Sequence, residues 1–161
     1  MASGQKQPVS WSNRQLQGEQ MTTPVFADEV KWAMQYAREE ADRLGHRHIG
    51  TEHMLLGLVH TGTGGAIELL QRCGIGLGEV NVAVEELDDS KRESVRGDEC
   101  FTIRAKTILE GAVKEAQELA SEQVRPIHVL LALLRDPSAV AAQVLHTYGI
   151  DHDSARRAAA G

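Results

Sequence analysis

The sequence predicts an all-α fold built from two homologous four-helix repeats, eight helices in all. Three observations lead there. The chain repeats itself without a gap at a shift of 75 positions. Phe26 aligns with Phe101, Ala37 with Ala112, His53-Met54-Leu55-Leu56 with His128-Val129-Leu130-Leu131, Leu70 with Leu145, and Gly74-Ile75 with Gly149-Ile150. A period longer than the roughly 20–50-residue unit of solenoid arrays implies two homologous halves rather than a stack. Apolar residues recur at steps of three and four in both halves, the helical period. Hydrophobic residues make up 42% of the chain but aromatic residues only 4%, so the core must come from Leu, Val, Ile and Ala, which suit closely packed helices.

Residues 1–22 are polar, rich in Gln and Ser, and read as a flexible extension, with Trp11 its one aromatic side chain. The double domain spans 23–161. Its first repeat covers about 24–87, a linker 88–100, and the second repeat about 101–160. The first helix runs from about Pro24 to Leu44 on the stripe Phe26, Val30, Ala33, Ala37, Ala41, Leu44, and Gly45 ends it. Thr51 is the expected N-cap of a second helix through His60. Gly62, Gly64 and Gly65 break the chain, a third helix covers about Ala66 to Cys73, and a fourth Gly78 to Leu87. The charged run Asp88 to Glu99 reads as a solvated linker. The stripe restarts at Phe101, Ala105, Ile108, Ala112, Ala116, Leu119. Pro126 opens the next helix, Pro137-Ser138 starts the seventh, and Asp151 caps the eighth. No segment reads as a strand.

Several function classes are disfavoured. Net charge is −6, and there is no basic cluster of the kind that holds nucleic acid. No apolar run approaches the length of a membrane span. The N-terminus lacks the apolar stretch of a signal peptide, and two cysteines, Cys73 and Cys100, do not make a disulfide framework, so a cytoplasmic setting is expected. No P-loop, H-E-x-x-H or C-x-x-C is present, and neither metal nor cofactor is expected. His46 and His48 read as solvated loop residues; His53 and His128, at equivalent helix starts, read as structural caps. Cys73 closes an apolar helix and reads as a buried, inert thiol, while Cys100 sits in the linker without an activating base. Glu39-Glu40 and Glu115-Glu118 read as solvated outer faces. No acid–base pair emerges, and the chain is expected not to be an enzyme.

Two segments carry a family resemblance: Gly45-His46-Arg47-His48-Ile49-Gly50-Thr51-Glu52-His53-Met54-Leu55-Leu56-Gly57-Leu58 and Phe101-Thr102-Ile103-Arg104-Ala105-Lys106. They resemble the Clp N-terminal repeat domain, which opens Hsp100-type unfoldases of the ClpC group; the likeness covers about 23–160 and implies that the two four-helix repeats are related by a pseudo-twofold. The resemblance implies a non-catalytic module that receives adaptors, substrates and cyclic-peptide antibiotics of the cyclomarin type, acting as an adaptor or as a sink for ligands of the ClpC machine. The alternative it implies is a structural accessory subunit docking on a Clp protease core. It implies a groove between the leading helices of the two halves, matched here by Met34, Arg38, Phe101, Lys106, Leu109, Glu110, Val113 and Gln117. An apolar floor (Met34, Phe101, Leu109, Val113) with a polar rim (Arg38, Lys106, Glu110, Gln117) suits a small amphipathic ligand. Thr23 departs from the Phe that walls this groove in ClpC proteins. The resemblance also implies a phosphoarginine pocket in each half, made by a Glu and a Thr. The first half keeps Glu52 but has Ala27; the second keeps Thr102 but has Ile127. Each loses a charge-assisted partner worth roughly 1.5–3 kcal/mol, so weak binding at most is expected.

Overall fold

The computed structural model describes residues 24–61, 64–87 and 101–160. In chain order these form β1 (Val25–Phe26), α1 (Asp28–Arg43), α2 (Thr51–Thr61), α3 (Gly64–Arg72), α4 (Leu77–Leu87), α5 (Ile103–Glu118), β2 (Gln123–Val124), α6 (Pro126–Leu134), α7 (Val140–Thr147) and α8 (His152–Ala160). The expected extension, Trp11, the charged linker and Cys100 lie outside the described residues.

α1 forms where an apolar stripe meets favourable ends: Asp28 and Glu29 face the positive N-terminus and Arg43 the negative C-terminus. Its last carbonyls are closed by a Schellman turn, Gly45 N–H to Asp42 O and His46 N–H to Ala41 O, with Gly45 at φ +77°. The matching residue of the second repeat, Ala120, adopts φ +56°, a left-handed conformation that costs an alanine more than a glycine. α8 is capped as expected: Asp151 Oδ1 accepts from Ser154 N–H at 2.8 Å and Ser154 Oγ accepts from Asp151 N–H at 3.1 Å.

One core runs through both halves. The largest wholly enclosed side chains include Met34, Met54, Leu55, Leu56, Leu70, Leu109, Leu130, Leu131, Leu133 and Leu145. α2 and α6 are apolar almost all round and form the middle of the molecule. α2 is buried from Thr51 to Leu58, and every residue of α6 is buried. The halves interlock as α1–α3 pack on α6, α2 on α5 and α7, α4 on α7, and α3 on α8.

Three expectations about elements change. β1 and β2 form a two-stranded parallel ladder, Val25 opposite Gln123 and Phe26 opposite Val124. Two residues are too few to show a period of two, so no sequence pattern announces them. They also take the first residues assigned to the first helix. Thr51 is the first residue of α2 rather than its cap; its Oγ1 is buried without a hydrogen-bond partner, and His53 does the capping. Cys73 is exposed, because α3 ends at Arg72 and the chain has turned outward.

Candidate functional site

The seam between the repeats is reciprocal. Ala27 N–H donates to Val124 O at 2.9 Å, and Thr102 N–H donates to Ile49 O at 3.0 Å. These two bonds are the same bond under the internal shift. The Phe26–Val124 pair likewise has its counterpart in an isolated bridge between Ile49 and Phe101. Each repeat thus lends its first extended residues to the turn before the other repeat's second helix. The crossing brings the turn before Glu52 to Thr102, and the turn before Ile127 to Ala27. The retained Glu and Thr therefore share one crossing, and the two replacements share the other, which differs from the within-repeat pairing the sequence suggested. Both retained side chains lie inside: Glu52 is 0% exposed, and Thr102, 4% exposed, uses its hydroxyl to accept from Ala105 N–H and start α5.

The eight groove residues divide by polarity. Met34, Phe101, Leu109 and Val113 are 0–5% exposed and belong to the shared core, so the apolar floor is filled by the protein's own packing. Arg38, Glu110 and Gln117 are exposed and Lys106 is half-buried. What reaches solvent is the polar rim, carried by the outer faces of α1 and α5.

His53 and His128 do the same work. Each accepts a backbone N–H at its Nδ1, from Gly50 at 2.9 Å and from Arg125 at 2.8 Å respectively. Burial, then the nearby Arg125 charge, pushes His128 down to about 4, so it stays neutral at ordinary pH. In the first repeat the relay goes one step further. An Nδ1 that accepts leaves the ring proton on Nε2, and His53 Nε2 lies 2.8 Å from His46 Nδ1. His46 is therefore half-buried and bonded, not a solvated loop residue. Ligand atoms of His46, Glu52 and His53 lie within 4.8 Å of one another. The tautomer argues against a cation there: the His53 nitrogen that faces the cluster carries a proton, and its other nitrogen holds the cap.

Of the four carboxylates read as outer-face charges, Glu39 and Glu118 are exposed, but Glu40 and Glu115 point inward. Glu40 is 7% and Glu115 1% exposed. Each lies three residues beyond a stripe alanine, Ala37 or Ala112, and so on the buried side. Glu40 holds Arg43 at 2.8 Å. Glu115 gathers Arg135, His152 at 3.2 Å and Arg156 at 3.8 Å. Burial alone would raise the Glu115 carboxyl, but the Arg135 and His152 hydrogen bonds outweigh it and hold it below the usual range. Its Oε1 is buried with no hydrogen-bond partner.

Beside Glu40, the Tyr36 ring lies on the His60 ring, 3.6 Å between centroids and 6° between planes. The Tyr36 hydroxyl donates to Glu40; burial, then that carboxylate, pushes the phenol up. At the matching places the second repeat has Gly111 for Tyr36 and Arg135 for His60. There a cavity of about 460 Å³ opens between α5 and α6, lined by Thr107, Gly111, Lys114, Glu115, Ala132 and Arg135 among others. Sequence reasoning passed over this place, although setting Tyr36 against Gly111 under the internal shift would have marked it.

Fold and seam together define a tandem-repeat, all-helical module with a polar-rimmed flank. Residues 25–99 and 100–161 each match the Clp repeat (R) N-terminal domain, and the chain belongs to that family. It is 40% identical over 131 residues to chloroplastic chaperone protein ClpC1 of Oryza sativa subsp. japonica, covering 81% of this chain and 14% of that protein. It is 39% identical over 132 residues to the negative regulator of genetic competence ClpC/MecB of Bacillus subtilis (strain 168), covering 82% of this chain and 16% of that protein. The chain thus spans about one-seventh of the length of the curated relatives it matches. The N-terminal domain of the Clp-protease-associated chaperone ClpD of Arabidopsis thaliana superposes with a TM-score of 0.67 at 26% identity, covering 88% of this chain and 96% of that one. Among the described residues, no helix is long and apolar enough to cross a membrane.

Proposed function

We propose that this chain is a non-catalytic recognition module that binds adaptors, substrates or peptide-like ligands of a cytoplasmic Clp unfoldase, as an adaptor or as a sink. The paired Clp repeats, alike in sequence to the N-terminal parts of ClpC proteins, carry this reading. The rim of Arg38, Lys106, Glu110 and Gln117 offers polar contacts around a core that is already closed. A ligand that also uses Met34, Phe101, Leu109 or Val113 must therefore displace side chains, which costs affinity. Calorimetric titration with a cyclic peptide of the cyclomarin type tests this. Heat in the parent chain, reduced about tenfold in affinity by Lys106→Ala combined with Glu110→Ala, is the expected result. No heat removes the antibiotic-sink version. Co-migration with a proteolytic ring in the absence of any unfoldase turns the reading towards an accessory subunit.

Phosphoarginine is the second ligand class. It is favoured by Glu52 and Thr102 sharing one crossing of the seam. The burial of both keeps the expected affinity weak. Glu52→Gln abolishes whatever binding phosphoarginine shows by calorimetry; an unchanged isotherm removes this ligand from the reading.

A further inference from the structure

The cavity in the second repeat is the place where the first repeat keeps a tyrosine. We propose that it receives a tyrosine side chain from a partner peptide, with the ring laid on the Arg135 guanidinium and the hydroxyl donating to Glu115 Oε1. This deepens the peptide-binding reading and rests on it: one helical turn places Gly111 and Lys114 on the flank of α5 away from Leu109 and Val113, and Glu110 borders both the rim and the cavity.

Four observations converge. The first repeat supplies a template, since Tyr36 covers His60 and donates to Glu40, and these align with Arg135 and Glu115. Room exists, because a Cβ at Gly111 would meet only Ala132 Cβ, at 3.4 Å. An acceptor is in place: Glu115 is 1% exposed, and its Oε1 faces Arg156 Nη1 at 3.8 Å but makes no hydrogen bond, a deficit that a phenolic hydroxyl removes. A platform is in place as well. Arg135 is fixed at its edge by Glu115 and, through Nη2 at 3.4 Å, by Glu118. Edge bonding leaves the face of a guanidinium for stacking on an aromatic ring. Phenylalanine would fill the space but leave Oε1 without its donor.

The test is NMR of the full chain labelled with ¹⁵N, titrated in parallel with N-acetyltyrosinamide and N-acetylphenylalaninamide. The expected result is movement of the Gly111 amide and Arg135 Nε–H signals, with the tyrosine probe binding roughly tenfold more tightly, as a hydrogen bond to a charged acceptor implies. Gly111→Tyr, which fills the cavity from within, abolishes both responses. Arg135→Ala, at a half-exposed side chain, weakens both probes about threefold. Equal affinity for the two probes, or signals elsewhere in the chain moving instead of these two, overturns the proposal, and the parent chain alone decides that. A cyclic peptide that still binds at α1 and α5 when the tyrosine probe fails sinks the cavity assignment alone. Failure of both sinks the wider reading.

Discussion

At position 36 the first repeat carries a tyrosine that lies on His60 and closes the gap between its first two helices. At the matching position 111 the second repeat carries a glycine opposite Arg135, and the gap stays open. The helix crossings differ in the same direction. In the first repeat Gly57 lets α2 come so close to α1 that a Cβ there would press into the Ala33 carbonyl and lie 3.3 Å from Ala37 N. In the second repeat the same places hold Ala132 and Ile108, a bulkier pair without a glycine to permit so close a backbone approach. Ion pairing follows suit: Glu40 serves Arg43, whereas Glu115 holds Arg135, His152 and Arg156 together. Two copies of one scaffold have thus diverged into a half sealed by an aromatic stack and a half propped open by charge.

The largest effect expected from breaking this contrast is Gly57→Ala. The clash is with backbone, which has little room to give, so urea denaturation should show a loss of about 3 kcal/mol or more. Ala132→Gly at the matching place should cost about 1 kcal/mol, the helix penalty of glycine. Equal losses at the two positions would show that the crossings are not different in kind.

Next comes Glu115→Ala, which leaves Arg135, His152 and Arg156 without their shared anion. A loss of about 2 kcal/mol is expected, against about 1 kcal/mol for Glu40→Ala, whose ion-pair partner Arg43 is half in water. The comparison is read from paired denaturation curves.

The pH profile sharpens the contrast at the caps. The His128 pKa is about 4 when folded, against an ordinary 6.5. As pH falls from 6.5 towards 4 the unfolded chain takes up a proton that the folded protein refuses. His128 therefore contributes stability above pH 6.5 that is lost across this window and changes no further below it. His128→Asn keeps an acceptor for Arg125 N–H and should remove about 2 kcal/mol of that acid-side decline. A variant whose stability falls as steeply as the parent's between pH 6.5 and 4 would refute the assignment.

The smallest change has the opposite sign. Ala120→Gly relieves a left-handed alanine and should raise stability by about 0.5–1 kcal/mol, whereas Gly45→Ala should lower it by a similar amount. Thermal melts of the two variants suffice.

The helical scaffold was legible because its signals are long. Stripes such as Phe26 to Leu44 integrate many residues, and the internal copy checks each of them. The seam was not, since Phe26–Val124 and Ile49–Phe101 are contacts of one or two residues between distant parts of the chain. Glu40 and Glu115 were misplaced because charge was weighed above helical position. The groove residues were legible as a set, but spacing does not reveal whether Met34, Phe101, Leu109 and Val113 line a slot or fill one, and the fold buries all four. The cavity beside Gly111 arises from a missing side chain, so only the comparison with Tyr36 exposes it.

The crossed ladder at the centre has a consequence for how such a molecule came about. Whatever the opening segment of one unit donates, the turn ahead of its own second helix would also accept, were it presented by a twin. A single unit therefore holds both complementary edges, one offered and one needed, and two identical copies would complete each other through the same pair of bonds. Joining them on one chain leaves that complementarity unchanged. It frees the two members to differ, one towards closure and the other towards capture.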